Sequence, residues 1–157
     1  MASARLITPT GHAKLEKELT DLWHRERPRI VQEVHDAAAL GDRSENAEYI
    51  YGKKRLREID RRVRYLSNLL DKLKVVDPKT NAKDTVDFGA TVTIEDENGK
   101  VRTYQIVGED EVDAKQGRIS MVSPMGKALL GKKIGDDTVV TRPAGEIEVI
   151  VTELVYR

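Results

Sequence analysis

At 157 residues the chain has room for one ordinary domain or two small ones, and 34% charged against 4% aromatic residues argues against a single thick core. The formal net charge is zero, so no global field draws it to nucleic acid or membrane, and any such attraction must come from local patches. The absence of cysteine excludes disulfides and thiolate metal sites.

The N-terminal stretch MASARLITPTGHAKLEKEL lacks the apolar core of a secretory signal. No apolar run approaches the roughly 18 residues of a membrane span, so a soluble, cytoplasmic protein is expected. Thr8-Pro9-Thr10 offers a helix start, with either threonine able to cap. From there Leu15, Leu19, Leu22, Ile30, Val34 and Ala38 recur on one stripe of a first helix. Pro28 interrupts it. A proline inside a helix removes a hydrogen bond and costs about 3 kcal/mol, so a kink near Arg25, or two separate helices, is expected.

A second helix is signalled by Tyr49, Gly52, Leu56, Ile59, Val63, Leu66, Leu70 and Leu73, an a/d seam at alternating steps of three and four. The short connection at Gly41 to Ser44 makes the two helices antiparallel neighbours. About 30 residues at 1.5 Å rise give a rod of roughly 45 Å, a device for reach with little core of its own.

The connection itself, within ALGDRSENAEY (39–49), is acidic. Turn chemistry accounts for much of it. Gly41 suits a left-handed helix stop, Asp42 or Ser44 a cap, and Asp42 with Glu45 resembles a capping box. The same two carboxylates, converging at a helix start, can also ligate a hard cation, although they are too few to hold Mg²⁺ alone. Behind them Lys53, Lys54, Arg55, Arg57, Arg61, Arg62 and Arg64 are opposed only by Glu58 and Asp60. Lys53, Arg57, Arg61 and Arg64 run along one face, which reads either as a solvated coiled-coil surface or as a phosphate-binding stripe.

The pattern changes at KVVDPKTNAKD (74–84). The expected division is a hairpin over 1–77, a linker over 78–84 and a sheet domain over 85–157. In the last part, residues 89–107 alternate around Asn98-Gly99 as a hairpin, and residues 118–122 form a short strand. Ser123-Pro124 opens a helix that ends near Gly131, and residues 138–142 and 146–156 form a closing hairpin. The runs Glu95-Asp96-Glu97 and Glu109-Asp110-Glu111 read as solvated turns. The fold class is α+β: a helical hairpin, then an antiparallel sheet packed on one short helix.

LGDRSENAEY followed by KKRLREIDRRVRYL strongly resembles the bacterial Gre transcript cleavage factors, in their GreB branch. LWHRERP, SPMGKALLGKKIGD and PAGEIEV extend the resemblance over almost the whole chain. It implies an N-terminal antiparallel coiled coil and a C-terminal FKBP-like domain that docks at the rim of the RNA polymerase secondary channel while the coiled coil enters it. The family's two essential acids carry over to Asp42 and Glu45. They would share a Mg²⁺ with the polymerase, so no metal is expected in the isolated protein, and the chain would be a monomeric cofactor rather than an enzyme. The stripe from Lys53 to Arg64 would hold backtracked RNA, with Ser44, Asn46 and Tyr49 as lesser candidates. Ser123, Pro124 and Met125 match the polymerase-docking loop, where Val122 replaces a residue that is often polar or acidic in relatives. Two rival functions are weighed against this one: a channel-blocking regulator, which the acid pair argues against, and a coiled-coil adaptor or prolyl isomerase-like chaperone. For the latter, Phe88, Tyr104 and Tyr156 are too few for a proline pocket, and His12, His24 and His35 form no cluster.

Overall fold

In the computed structural model, which describes residues 5–41 and 46–157, the first apolar stripe becomes one continuous helical path. It comprises α1 (Pro9–Asp21), a π-turn (Leu22–Glu26) and α2 (Arg27–Ala38). Pro28 has no N–H and its ring crowds the carbonyl four residues back. The chain responds by widening a turn: the Arg27 N–H reaches back five residues to the Leu22 carbonyl, and Pro28 falls in the first turn of α2. The backbone at Asp21, Glu26 and Arg27 stays right-handed helical, so the expected disturbance is a π-turn and the path is not split.

Against it runs α3 (Ala47–Lys72). Leu22, Ile30, Ile59 and Leu66 form the buried seam, flanked by Leu15, Leu19, Val34, Leu56 and Val63. Ile59 and Leu66 are fully buried, each worth about 1.5–3 kcal/mol relative to exposure. Gly52 lets the helices approach, since a Cβ there would meet Val34 Cγ2 at 2.5 Å. Two seam assignments shift by one residue: Ala37 and Leu69 are buried more deeply than Ala38 and Leu70. Outside the seam, Arg27 Nε donates to Asp60 at 2.8 Å while its guanidinium lies 5.3 Å from the Trp23 ring centroid.

The expected domain boundaries move. One unit is residues 12–72; the other is Leu73–Arg157 together with the N-terminal residues through Gly11. The reason is a two-stranded parallel pair that the periodicity did not announce, β1 (Arg5–Ile7) against β2 (Leu73–Val75). Leu73 therefore begins a strand. The stretch read as a linker is also built in: Pro78–Asn81 is a 3₁₀ turn with Pro78 buried, capped by Asp77, which accepts from the Lys79 N–H at 3.0 Å.

The remaining elements are β3 (Ala90–Asp96), β4 (Val101–Val107), β5 (Arg118–Ser120), α4 (Pro124–Leu129), β6 (Asp137–Arg142) and β7 (Gly145–Tyr156). The sheet order is β5-β4-β3-β7-β6, antiparallel except for the parallel pair β4–β5. The β3–β4 turn has Gly99 at φ +80°, with Asp96 accepting from the Asn98 and Lys100 N–H groups. A register shift between Thr93 and Ile94 adds a residue on β7, which bends the sheet. Alternating Ala90, Val92 and Ile94 on β3 join Val86, Ile106, Leu129, Val140, Val149 and Val151 in its core.

In the second acidic run Glu109 stays exposed in a turn, as expected, but Asp110 and Glu111 do not. Asp110 takes a bidentate pair from Arg5 at 2.6 Å. Glu111, with its side chain only 4% exposed, accepts from the N–H groups of Thr8 (2.7 Å) and Gly108 (3.0 Å), from Arg118 (2.6 Å) and from the Thr8 hydroxyl. Thr8 is in turn the cap of α1, its Oγ1 accepting the Gly11 N–H at 3.1 Å.

Candidate functional site

The end of the hairpin is held by Asn46. Its Oδ1 accepts the Tyr49 N–H at 3.2 Å, which makes it the N-cap of α3, and its Nδ2 donates to the Ala37 carbonyl in the last turn of α2 at 2.7 Å. The cap is thus neither Asp42 nor Ser44, and the first turn of α3 contains Glu48, not Glu45. Gly41, at φ +125°, lies two residues beyond the Ala39 C-cap. Asp42, Ser44 and Glu45 themselves lie outside the described residues. As a donor set, two carboxylates are hard oxygen ligands suited to Mg²⁺, and they leave most of an octahedron to be filled from elsewhere.

On α3 the seven cations divide into two kinds. Arg55 donates to Glu26 on α1–α2 (Nε to Oε1, 2.9 Å) and to Glu58 at 3.4 Å. Arg62 grips Glu18 with two bonds of 2.6 and 2.9 Å. These hydrogen bonds raise both guanidinium pKa values, against a smaller opposing effect of burial, and the Arg62 bond holds the Glu18 carboxyl below its ordinary value. Arg55 and Arg62 are braces of the hairpin. Lys53, Lys54, Arg57, Arg61 and Arg64 are exposed, and among the described residues no carboxylate pairs with them. Both acids of this segment are already paired, Glu58 with Arg55 on the same helix and Asp60 with Arg27 on the other. A sequence count of charges could not make that distinction, because it depends on which face each residue takes.

Tyr49 is half-buried in the seam region, whereas Tyr51, two residues on and unremarked by the periodicity, is 66% exposed. In the sheet unit Ser123 caps α4, accepting the Gly126 N–H at 3.1 Å while its hydroxyl donates to the Ser120 carbonyl at 2.7 Å. Pro124 is exposed, Met125 packs against the sheet core, and Val122 is 67% exposed. The loop is thus a rigid, capped corner with an apolar side chain in front. No helix among the described residues is long and apolar enough to cross a membrane.

Two family models cover the chain: "Transcription elongation factor, N-terminal" matches residues 5–75, and "Transcription elongation factor, GreA/GreB, C-term" matches residues 80–156. Among curated proteins the chain is similar to the transcription elongation factor GreB of Pseudomonas aeruginosa (53% identical, covering 99% of this chain and 92% of that one). It is also similar to GreB of Yersinia pestis (50%, covering 100% and 92%) and of Pasteurella multocida (49%, covering 99% of each). With both halves matched and half of all positions identical along the full length, the chain belongs to the GreA/GreB family of transcription elongation factors.

Proposed function

We propose that this chain enters the secondary channel of bacterial RNA polymerase and stimulates the polymerase's own Mg²⁺-dependent cleavage of backtracked RNA, returning arrested complexes to synthesis. The observation that carries the reading is the division of charge on α3: five exposed cations without a carboxylate partner among the described residues, immediately behind a connection that contains Asp42 and Glu45.

Each part has a stated task. Asp42 and Glu45 supply hard oxygen donors to a cation that the polymerase's carboxylates also hold; alone they make an incomplete set, which is why the chain is a cofactor and not an enzyme. A Mg²⁺ held jointly by these acids and the polymerase would supply activation of water and charge stabilisation of the phosphodiester's leaving oxygen. Lys53, Arg57, Arg61 and Arg64 hold the extruded RNA by its phosphates, joined by Lys54 at the edge of the stripe. Arg55 and Arg62, proposed from sequence as further RNA contacts, instead keep the helices in register. Ser123, Pro124 and Met125 form the polymerase-docking corner, with Val122 contributing an apolar contact. The chain acts as a monomer in the bacterial cytoplasm.

The experiment is cleavage by defined backtracked complexes in the presence of Mg²⁺. The wild-type chain is expected to accelerate cleavage while leaving free RNA intact, and Asp42→Ala or Glu45→Ala to abolish the acceleration with polymerase binding retained. Undiminished acceleration with both acids removed refutes the metal role, and a chain that only slows nucleotide addition would be a blocker.

A further inference from the structure

Single-stranded RNA alternates anionic phosphates with flat apolar bases, and a surface that holds it without reading its sequence combines cations with exposed aromatic rings. The free cations on α3 provide the first half of that chemistry. The second half lies on the adjoining flank of the same helix. Tyr51 is 66% and Tyr65 49% exposed, two large rings standing open to solvent. Residues 51 and 65 are close to four whole turns apart, about 21 Å along the axis, so the two rings share a face. Between them stand Lys54, three residues after Tyr51, and Arg61, four before Tyr65, each a surface neighbour of the ring it follows or precedes. Both cations are exposed. Arg62, paired with Glu18, places its guanidinium 5.3 Å from the Tyr65 ring centroid, which orients that ring by cation–π attraction.

From this juxtaposition we infer that Tyr51 and Tyr65 are stacking platforms for unpaired bases of the extruded RNA, with Lys54 and Arg61 taking the phosphates between them. The inference rests on the cleavage reading above and adds to it a base-contacting track beside the phosphate-contacting stripe. Stacking tolerates any base because every base has a π-face, so the track favours longer extruded segments without selecting their sequence.

The test uses the full chain and backtracked polymerase complexes whose extruded RNA carries either ordinary nucleotides or abasic ribose units, the phosphates being kept in both. On ordinary RNA, Tyr51→Ala and Tyr65→Ala are expected to slow cleavage roughly fivefold or more, the lower end for losing one stacking contact. Tyr51→Phe and Tyr65→Phe keep the ring and are expected to keep the rate. On abasic RNA, wild type and alanine variants are expected to converge. Alanine is the best helix former, so these exposed substitutions leave α3 intact. Wild-type rates for both alanine variants on ordinary RNA overturn the inference. So does a loss that persists undiminished on abasic RNA, which would assign the rings to the polymerase wall. If the wild-type chain accelerates nothing, the cleavage reading itself fails, a result distinct from either.

Discussion

Asn46 Nδ2 donates a 2.7 Å hydrogen bond to the carbonyl oxygen of Ala37, tying the start of one long helix to the last turn of the other. Because Oδ1 of the same side chain also caps α3, Asn46→Ala removes two interactions at once. A loss of about 1–2 kcal/mol in unfolding free energy is expected. Asn46→Asp keeps the capping acceptor and loses the donor, so it should fall between wild type and Ala. Urea unfolding of the three proteins checks the order, and on the function proposed above cleavage stimulation should fall with it, since Asp42 and Glu45 precede Asn46 by only a few residues in the chain.

The two kinds of cation predict two kinds of variant. Neutralising Lys53, Arg57 and Arg61 to Gln should leave thermal stability within about 0.5 kcal/mol and weaken RNA handling, with long extruded segments suffering more than dinucleotides. It should also reduce the salt dependence of the effect, because fewer counterions are displaced. Arg55→Gln or Arg62→Gln should do the opposite, lowering stability by up to about 1 kcal/mol, as expected for partly exposed pairs. Melting curves alongside cleavage on short and long backtracked RNA separate the two patterns.

The Glu18–Arg62 brace carries a pH signature. The Arg62 hydrogen bond holds the Glu18 carboxyl below its ordinary 4.5, with burial opposing and the charge of Arg62 assisting. A carboxyl with a depressed folded pKa binds its proton more readily when unfolded. Its stabilisation is therefore fully present above the unfolded value and is lost as pH falls through the folded one. Glu18→Gln should be less stable than wild type at pH 7, by no more than about 1 kcal/mol for so exposed a pair, and the gap should close as the pH is taken well below 4.5. Thermal melts of both proteins across that range show whether it does.

Glu111→Gln probes the anchor of the N-terminal segment. It discharges the buried partner of Arg118 and offers one acceptor where two carboxylate oxygens took four donors. A loss of about 3 kcal/mol is expected, the scale for breaking a buried charged pair, measured by urea unfolding of the full chain. An effect below about 0.5 kcal/mol would mean that Glu111 is the solvated residue its sequence context suggests.

That last contrast shows where sequence reading succeeds and where it stops. The seam along α3 was legible because apolar residues every three or four positions have one physical outcome, and the Asn98-Gly99 and Ser123-Pro124 signals were legible because turns and caps depend on few neighbours. The run Glu109-Asp110-Glu111 carries no such local signal. The burial of Asp110 and Glu111 comes with Arg5, Thr8 and Arg118, partners as much as 105 residues away in sequence. The β1–β2 pair was hidden for a similar reason: strands of three residues are too short to display alternation. Pro28 announced a disturbance without revealing its form, since kink, break and π-turn all relieve the same clash. The acidic connection was recognisable as a motif, yet its cap went to Asn46, because an amide can both cap α3 and donate to α2 while a carboxylate can only accept.

The short pairing of β1 with β2 has a consequence for anyone re-engineering this chain. Two strands running the same way cannot be joined by a tight turn; they require a connection of a dozen residues or more. Here the whole helical arm is that connection, entering after Ile7 and returning at Leu73 through neighbouring, hydrogen-bonded strands. The arm is thus a cassette whose length the β1–β2 ladder leaves unfixed, so long as both helices lose or gain matching turns. Swapping it for a two-residue loop would forfeit the parallel ladder itself.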